Sequence, residues 1–292
     1  MGGLAPLVPC MTLDVHELSA FYASPLGETT RRLIGRALRG RWENCRGLSV
    51  MGLGFCGPWL DAFRDEAART LSLAPAATGV SVWPQTGRSA SALVVGDMLP
   101  LPDACIDRVL IAHALETAEP PGALLEEIWR VLAPEGRVIL VAPSRRGVWA
   151  RVDGTPFGNG QPFSRGQLRD LVRDASFSAV FWGEALYAPP FRSRVLIDWS
   201  PAVERVGAAL GLPFAGVHIV EAIKQVPRPV GARRLARRQL IRLEPALAPT
   251  GRGTCLIAST ICTPANGRPS AAPTRSTAGL HSISMRERNG GA

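Results

Sequence analysis

Lysine is nearly missing from this chain: Lys224 is the one lysine among 33 basic residues, and the rest are arginine. Together with abundant alanine, 30 glycines and 25 prolines, this usage reads as the imprint of a GC-rich genome rather than of a ligand. No apolar run approaches the ~18 residues of a membrane-spanning helix. The N-terminal stretch MGGLAPLVPCMTLDV has neither a basic start nor a full apolar segment, so no secretory signal is expected; Met11 would serve equally well as the start. Cys10, Cys45, Cys56, Cys105, Cys255 and Cys262 are scattered, with no Cys-x-x-Cys pair and no Cys/His cluster. That pattern argues against a zinc site or a disulfide framework, so no metal is expected, and reduced thiols in the cytoplasm are.

What is present is an ordinary globular composition. Of 292 residues, 46% are hydrophobic and 20% charged, which excludes full-length disorder and collagen-like structure and allows a sizeable core. The net charge of +9 suggests nucleic acid until it is located. Residues 224–292 hold twelve of the basic residues and only Glu244 and Glu287 among the acids. The preceding residues are close to neutral, so a nucleic-acid-binding face on the folded body is not expected.

Helices are expected over Asp14–Tyr22, Glu28–Arg39 and Trp59–Arg69, the last with Pro58 in its first turn. A further helix opens at Pro120-Pro121, with an apolar face of Leu124, Leu125, Ile128, Trp129 and Leu132, and is expected to end at Pro134-Glu-Gly136. Strands are expected at Leu48–Leu53, Thr70–Ala74, Ser91–Val95, Asp107–Ala112 and Arg137–Ala142. This alternation argues for a doubly wound, mostly parallel sheet. Pro143–Phe163 reads as a long loop and Ser164 as the cap of a helix through Asp174. Phe177–Tyr187 reads as extended, Arg192–Leu210 as an inserted helix and Phe214–Ile223 as a strand. The expected division is a flexible segment 1–13, a folded domain 14–226, a basic helical extension 227–245 and a disordered tail 246–292.

The first strand runs into Gly52-Leu53-Gly54-Phe55-Cys56-Gly57, a GxGxxG turn before a helix. Glycines permit close backbone approach and positive φ, and a helix N-terminus favours an anionic group. The same glycines also fit a tight turn with no ligand. A dinucleotide site needs an acid about 20 residues on, and the second strand ends at Ala74-Pro75 instead, which counts against a nicotinamide oxidoreductase.

Five ordered blocks carry a more specific signal: the glycine turn, Gly96-Asp97-Met98-Leu-Pro-Leu-Pro-Asp103, Ile106-Asp107-Arg-Val-Leu110, Leu115-Glu116 and Glu127–Arg137. Over about Leu48–Ala142 the chain resembles the class I S-adenosylmethionine-dependent methyltransferases, nearest to the type 11 branch. The resemblance implies a Rossmann-like α/β fold with a seven-stranded sheet, closed by an antiparallel strand at Phe214–Gln225. It implies S-adenosylmethionine as cofactor and a small molecule as methyl acceptor. Gly52, Leu53 and Gly54 would line the methionine part of the cofactor. Asp97 would hold the adenine amino group, Met98 would pack beside that base, and His113 would sit on the pocket rim. No catalytic residue and no oligomeric state is indicated.

Two positions depart from the family pattern. Gly52 stands where an acid is usual, and Ala74-Pro75 stands where a second acid grips the ribose. Charge-assisted hydrogen bonds contribute roughly 1.5–3 kcal/mol each, so the loss is worth about one to two orders of magnitude in affinity. A non-catalytic binding or scaffold protein of the same fold is the alternative reading.

Elsewhere, Asp103 and Asp107 read as turn and strand-boundary residues, and Trp129 as core. Glu126 and Glu127 read as residues near a helix start. Arg145, Arg146 and Arg151 with Trp149, in the loop after the fifth strand, suit an acidic or phosphorylated substrate or simply solvent. Arg233–Arg242 reads either as a solvated helix at the domain end or as an amphipathic basic helix resting on acidic lipid or RNA.

Overall fold

The computed structural model describes residues 14–95, 98–152, 154–191 and 193–225. The divisions expected at 1–13, 227–245 and 246–292, including the basic helix, lie outside the described residues. Two short helices come first, α1 (Val15–Ala23) and α2 (Pro25–Arg41), and Ser24 joins them. The Ser24 hydroxyl donates to the Phe21 carbonyl at 2.6 Å and accepts from Gly27 N at 3.1 Å. One side chain thus closes α1 and caps α2, with Pro25 suited to the first helical turn. Gly27 is required there because a Cβ would run into the Phe21 backbone.

The sheet comprises β1 (Ser49–Gly54), β2 (Arg69–Pro75), β3 (Ser91–Val94), β4 (Ile106–Ala112), β5 (Leu132–Pro143), β6 (Phe177–Ala185) and β7 (Val217–Lys224). Its order is β3-β2-β1-β4-β5-β7-β6. β1 to β5 pair in parallel, and β7 runs antiparallel between β5 and β6. The expected antiparallel closing strand is therefore present, three residues shorter at its start than the expected Phe214.

Helices α3 (Gly57–Arg64), α4 (Pro121–Val131), α5 (Arg165–Asp174) and α6 (Arg194–Leu210) complete the fold. Alternation along β1 sorts its side chains between two cores. Met51 and Leu53 join Leu124, Ile128 and Leu168 under α4 and α5, while Val50 faces Ile34, Leu38 and Leu60 under α2 and α3. Ser164 caps α5 through a reciprocal capping box with Gln167, as its place in the sequence suggests.

Two boundaries differ from expectation. α3 stops at Arg64, because the chain must turn to begin β2 at Arg69. α4 stops at Val131: Leu132 already pairs with Ile106, and Pro134-Glu-Gly136 falls inside β5, where Glu135 takes a left-handed φ of 62°. Glu127 accordingly lies in the body of α4, not near its start. There it accepts from Leu99 N at 2.7 Å and pairs with Arg130, which also donates to the Leu99 and Leu101 carbonyls. That fork pins the β3–β4 connection onto α4.

A buried carboxylate ties the N-terminal helices to the sheet. Glu221 on β7 is fully buried and lies 2.6 Å from Arg41 and 3.1 Å from Arg137. Lys224, the lone lysine, donates to the Leu132 carbonyl at 2.6 Å and rests 4.1 Å from the Trp129 ring centroid.

Candidate functional site

The strand order reverses between β1 and β4, and ligands of such sheets bind beyond the carboxyl ends of the strands at that switch. β1 ends there at Gly54, whose φ is +90°. A Cβ at Gly54 would run into the Ala112 carbonyl, and Phe55 N donates to that same oxygen at 2.9 Å. The glycine is needed because the crossover turn passes directly against the end of β4.

Gly52 and Leu53 are buried inside β1, so their side-chain positions face the two cores. Gly52 faces α3: a Cβ would stand 2.5 Å from Cys56 Cβ and 2.8 Å from Leu60 Cδ1. Met98 is exposed and pairs with Val95 in an isolated bridge. Asp97 lies outside the described residues. Gly54 and His113 are brought together at the switch; Met98 belongs to the β3 side.

His113 follows β4 with a left-handed φ of 58° and is buried. Such a backbone costs about 1–3 kcal/mol in a non-glycine residue. Two side chains hold it. The Tyr22 hydroxyl lies 2.7 Å from His113 Nε2, and Glu116 Oε1 lies 3.0 Å from His113 Nδ1. A carboxylate can only accept, so in the neutral imidazole Nδ1 carries the hydrogen and Nε2 accepts from Tyr22. Burial, then the Glu116 charge, push the Tyr22 phenol well above its ordinary range, which keeps it a donor. Glu116 is buried as well, and among the described residues its Oε2 has no hydrogen-bond partner.

The crevice above the turn is filled. Tyr22 of α1 stacks on Phe55, with centroids 5.4 Å apart and planes 14° from parallel, and meets Trp59 edge-on. Phe157 packs on the His113 ring at 5.0 Å. Val15 N donates to the Thr78 carbonyl at 2.9 Å, which brings α1 onto the loop after β2. Trp83 is buried against Gly57 and donates to Asp61 at 2.9 Å. A void beside Gly54 and Ala74 and another beside His113 and Glu116 are each of about 10 Å³, room for about one water molecule.

S-adenosylmethionine, which the fold family implies, does not fit these residues as arranged. Among the described residues the void over Gly54 is only about 10 Å³, too small for a nucleoside, no carboxylate stands at Gly52 or Ala74, and the Gly52 position has no room for one. Among the described residues no cluster suits a metal ion, and no helix is long and apolar enough to cross a membrane.

Residues 51–140 match the family model of a methyltransferase domain. The match spans just under a third of the chain. The chain also resembles solved structures in its fold. One is a chain of the complex between the Haloferax volcanii Trm112 methyltransferase activator and its candidate methyltransferase, 19% identical, covering 72% of this chain and 98% of that one, with a TM-score of 0.51. Another is a SAM-dependent methyltransferase from Thermotoga maritima, 14% identical, covering 72% and 96%, with a TM-score of 0.50. At these identities the likeness concerns the fold. No curated protein matches the sequence.

Sequence reasoning missed Tyr22 and left Glu116 undecided. Their partner His113 lies 91 positions from Tyr22, and no local pattern links them. Trp149 of the arginine loop proves to be core: it is buried and donates to the Ala188 carbonyl at 2.8 Å. Arg145 turns toward the Pro162 carbonyl.

Proposed function

We propose that this methyltransferase-family protein transfers a methyl group from S-adenosylmethionine to a small molecule only when α1 is lifted from the crevice. The observation that carries this reading is the source of the plug. Val15, Leu18 and Tyr22 all come from one nine-residue helix at the edge of the fold, while the sheet beneath keeps the family's strand order. The chemistry of methyl transfer needs orientation and exclusion of water more than a base, so the absence of an obvious base is no objection.

Opening has a cost that the structure bounds. Burying Val15 and Leu18 contributes roughly 1.5–3 kcal/mol each, and the Tyr22 hydrogen bond about 1 kcal/mol more. A closed state favoured by about 4–7 kcal/mol lowers apparent affinity by roughly three to five orders of magnitude. The second reading, a non-catalytic binding protein, is favoured by Ala74-Pro75 and by the packed surroundings of Gly52.

Calorimetry with S-adenosylhomocysteine separates the two. Wild type is expected to bind weakly or not at all. Leu18→Ala, which loosens α1, is expected to bind at least tenfold more tightly. Absence of binding by both at millimolar ligand defeats the enzymatic reading and leaves the second.

A further inference from the structure

Exposed apolar side chains concentrate on one helix. Among the described residues, five of the twelve large apolar side chains that stand exposed lie on α6: Leu196, Trp199, Val203, Val206 and Leu210. Single exposed apolar residues are ordinary, but a contiguous set marks a contact surface. These five are spaced 3, 4, 3 and 4 residues apart, the repeat by which one helix offers a seam to another. We propose that this seam joins the protein to a second copy of itself, with α6 packing antiparallel on α6 about a two-fold axis at Val203. The inference does not depend on methyl transfer.

The seam is not the face by which α6 joins its own fold. Ile197 and Ser200 are buried, and Glu204 accepts from the Leu186 and Tyr187 N–H groups at 2.7 Å each. Gly207 lies against Tyr187, where a Cβ would stand 2.6 Å from the ring Cγ. Leu196, Trp199, Val203 and Val206 each directly precede one of these four inward residues, and one residue is about 100° around a helix. The inward face fixes α6 in place and the seam points outward beside it. A helix already held in position loses little freedom on association.

Symmetry and charge select the occupant. Reversed about Val203, the seam matches itself: Leu196 meets Leu210 of the partner subunit, Trp199 meets Val206 of the partner subunit, and Val203 meets Val203 of the partner subunit. A two-fold interface requires such self-matching. Asp198 and Arg205 flank the seam on one side, are exposed and form no ion pair among the described residues. Antiparallel packing brings Asp198 within one helical turn of Arg205 of the partner subunit, twice by symmetry, whereas parallel packing sets like charges opposite each other. Arg194, Asp198, Glu204 and Arg205 leave the helix without net charge, so it lacks the basic face of a helix that lies on acidic lipid. Two 17-residue helices in contact along about 26 Å bury on the order of 1,000 Å² in total, the lower end for a specific interface. The expected dimer is therefore reversible rather than obligate.

The test is sedimentation equilibrium of the full chain in reducing buffer. Wild type is expected to pass from monomer to dimer with a Kd on the order of 10 μM. Val203→Glu and Val203→Lys each set like charges face to face across the axis and are expected to weaken association about a hundredfold. An equimolar mixture of these two variants is expected to regain the dimer, because Glu then faces Lys. Val82→Glu, at another exposed valine, is expected to leave association unchanged. Circular dichroism checks that each variant is folded. A wild type that stays monomeric up to ~200 μM, as it would if residues 226–292 or a different protein covered the seam, overturns the proposal. So does a dimer that survives both Val203 substitutions, or a mixture that fails to recover it.

Discussion

Restoring an acid at Gly52 is the substitution a family comparison invites, and the packing forbids it. Gly52 sits on the face of β1 turned toward α3. A Cβ added there would be 2.5 Å from Cys56 Cβ, 2.8 Å from Leu60 Cδ1 and 3.3 Å from Cys56 Sγ, and both neighbours are fully buried. Gly52→Ala is therefore overpacked and expected to lose about 1–3 kcal/mol. Gly52→Asp adds a carboxylate with no cation beside it. The nearest titratable group is Cys56, whose thiol burial pushes up to about 12, so it stays neutral. An unpaired buried charge costs several kcal/mol more, and the variant is expected to lose over ~4 kcal/mol or not to fold. Cys56 is the N-cap of α3, a position that tolerates glycine, so Gly52→Asp/Cys56→Gly should recover part of the loss. Urea denaturation followed by circular dichroism reads all of these variants. A Gly52→Asp protein with the wild-type midpoint would refute the reasoning, since it would mean the space exists.

Three other outcomes follow from named contacts. Glu221→Gln leaves the partly exposed Arg41 and Arg137 facing a neutral amide at the buried Glu221 position and should lower stability by about 1.5–3 kcal/mol; an unchanged urea midpoint contradicts this. Tyr22→Phe removes the donor to His113 and should speed hydrogen exchange of the α1 amides by about five- to thirtyfold; unchanged exchange means the latch carries no weight. His218 is held below its ordinary pKa by burial, so the unfolded chain takes up the proton first as pH falls. Its contribution is complete above about pH 6.5 and is lost as pH drops toward the lower folded value. His218→Asn should therefore show a flatter stability profile between about pH 7 and pH 5, and a profile parallel to wild type contradicts the assignment.

The sheet was legible because its evidence is local. Apolar runs such as Leu48–Leu53 and Arg137–Ala142, glycine at Gly54 and the Ser164 cap each mark an element within a few residues. The errors were local as well. Pro134-Glu-Gly136 looks like a helix stop, yet Leu132 is drawn into β5 by its pairing with Ile106. The site was less legible, because it depends on partners far apart in the chain. Tyr22, His113 and Glu116 form one hydrogen-bonded chain across three elements, and Arg41 meets Glu221 180 positions away. Gly52 was visible as a missing acid but not as a packing requirement, since Cys56 and Leu60 turn back onto it only in three dimensions. His218 carried no sequence signal: it lies in a buried strand, and its neighbour Glu184 is brought to it by the pairing of β6 with β7.

A crystal of the wild-type chain soaked with S-adenosylhomocysteine tests the closed crevice most directly. The expected density shows Tyr22 still stacked on Phe55 with no nucleoside over Gly54, or a nucleoside present only where α1 has moved away. A nucleoside seated over Gly54 while Tyr22 keeps its hydrogen bond to His113 would contradict it.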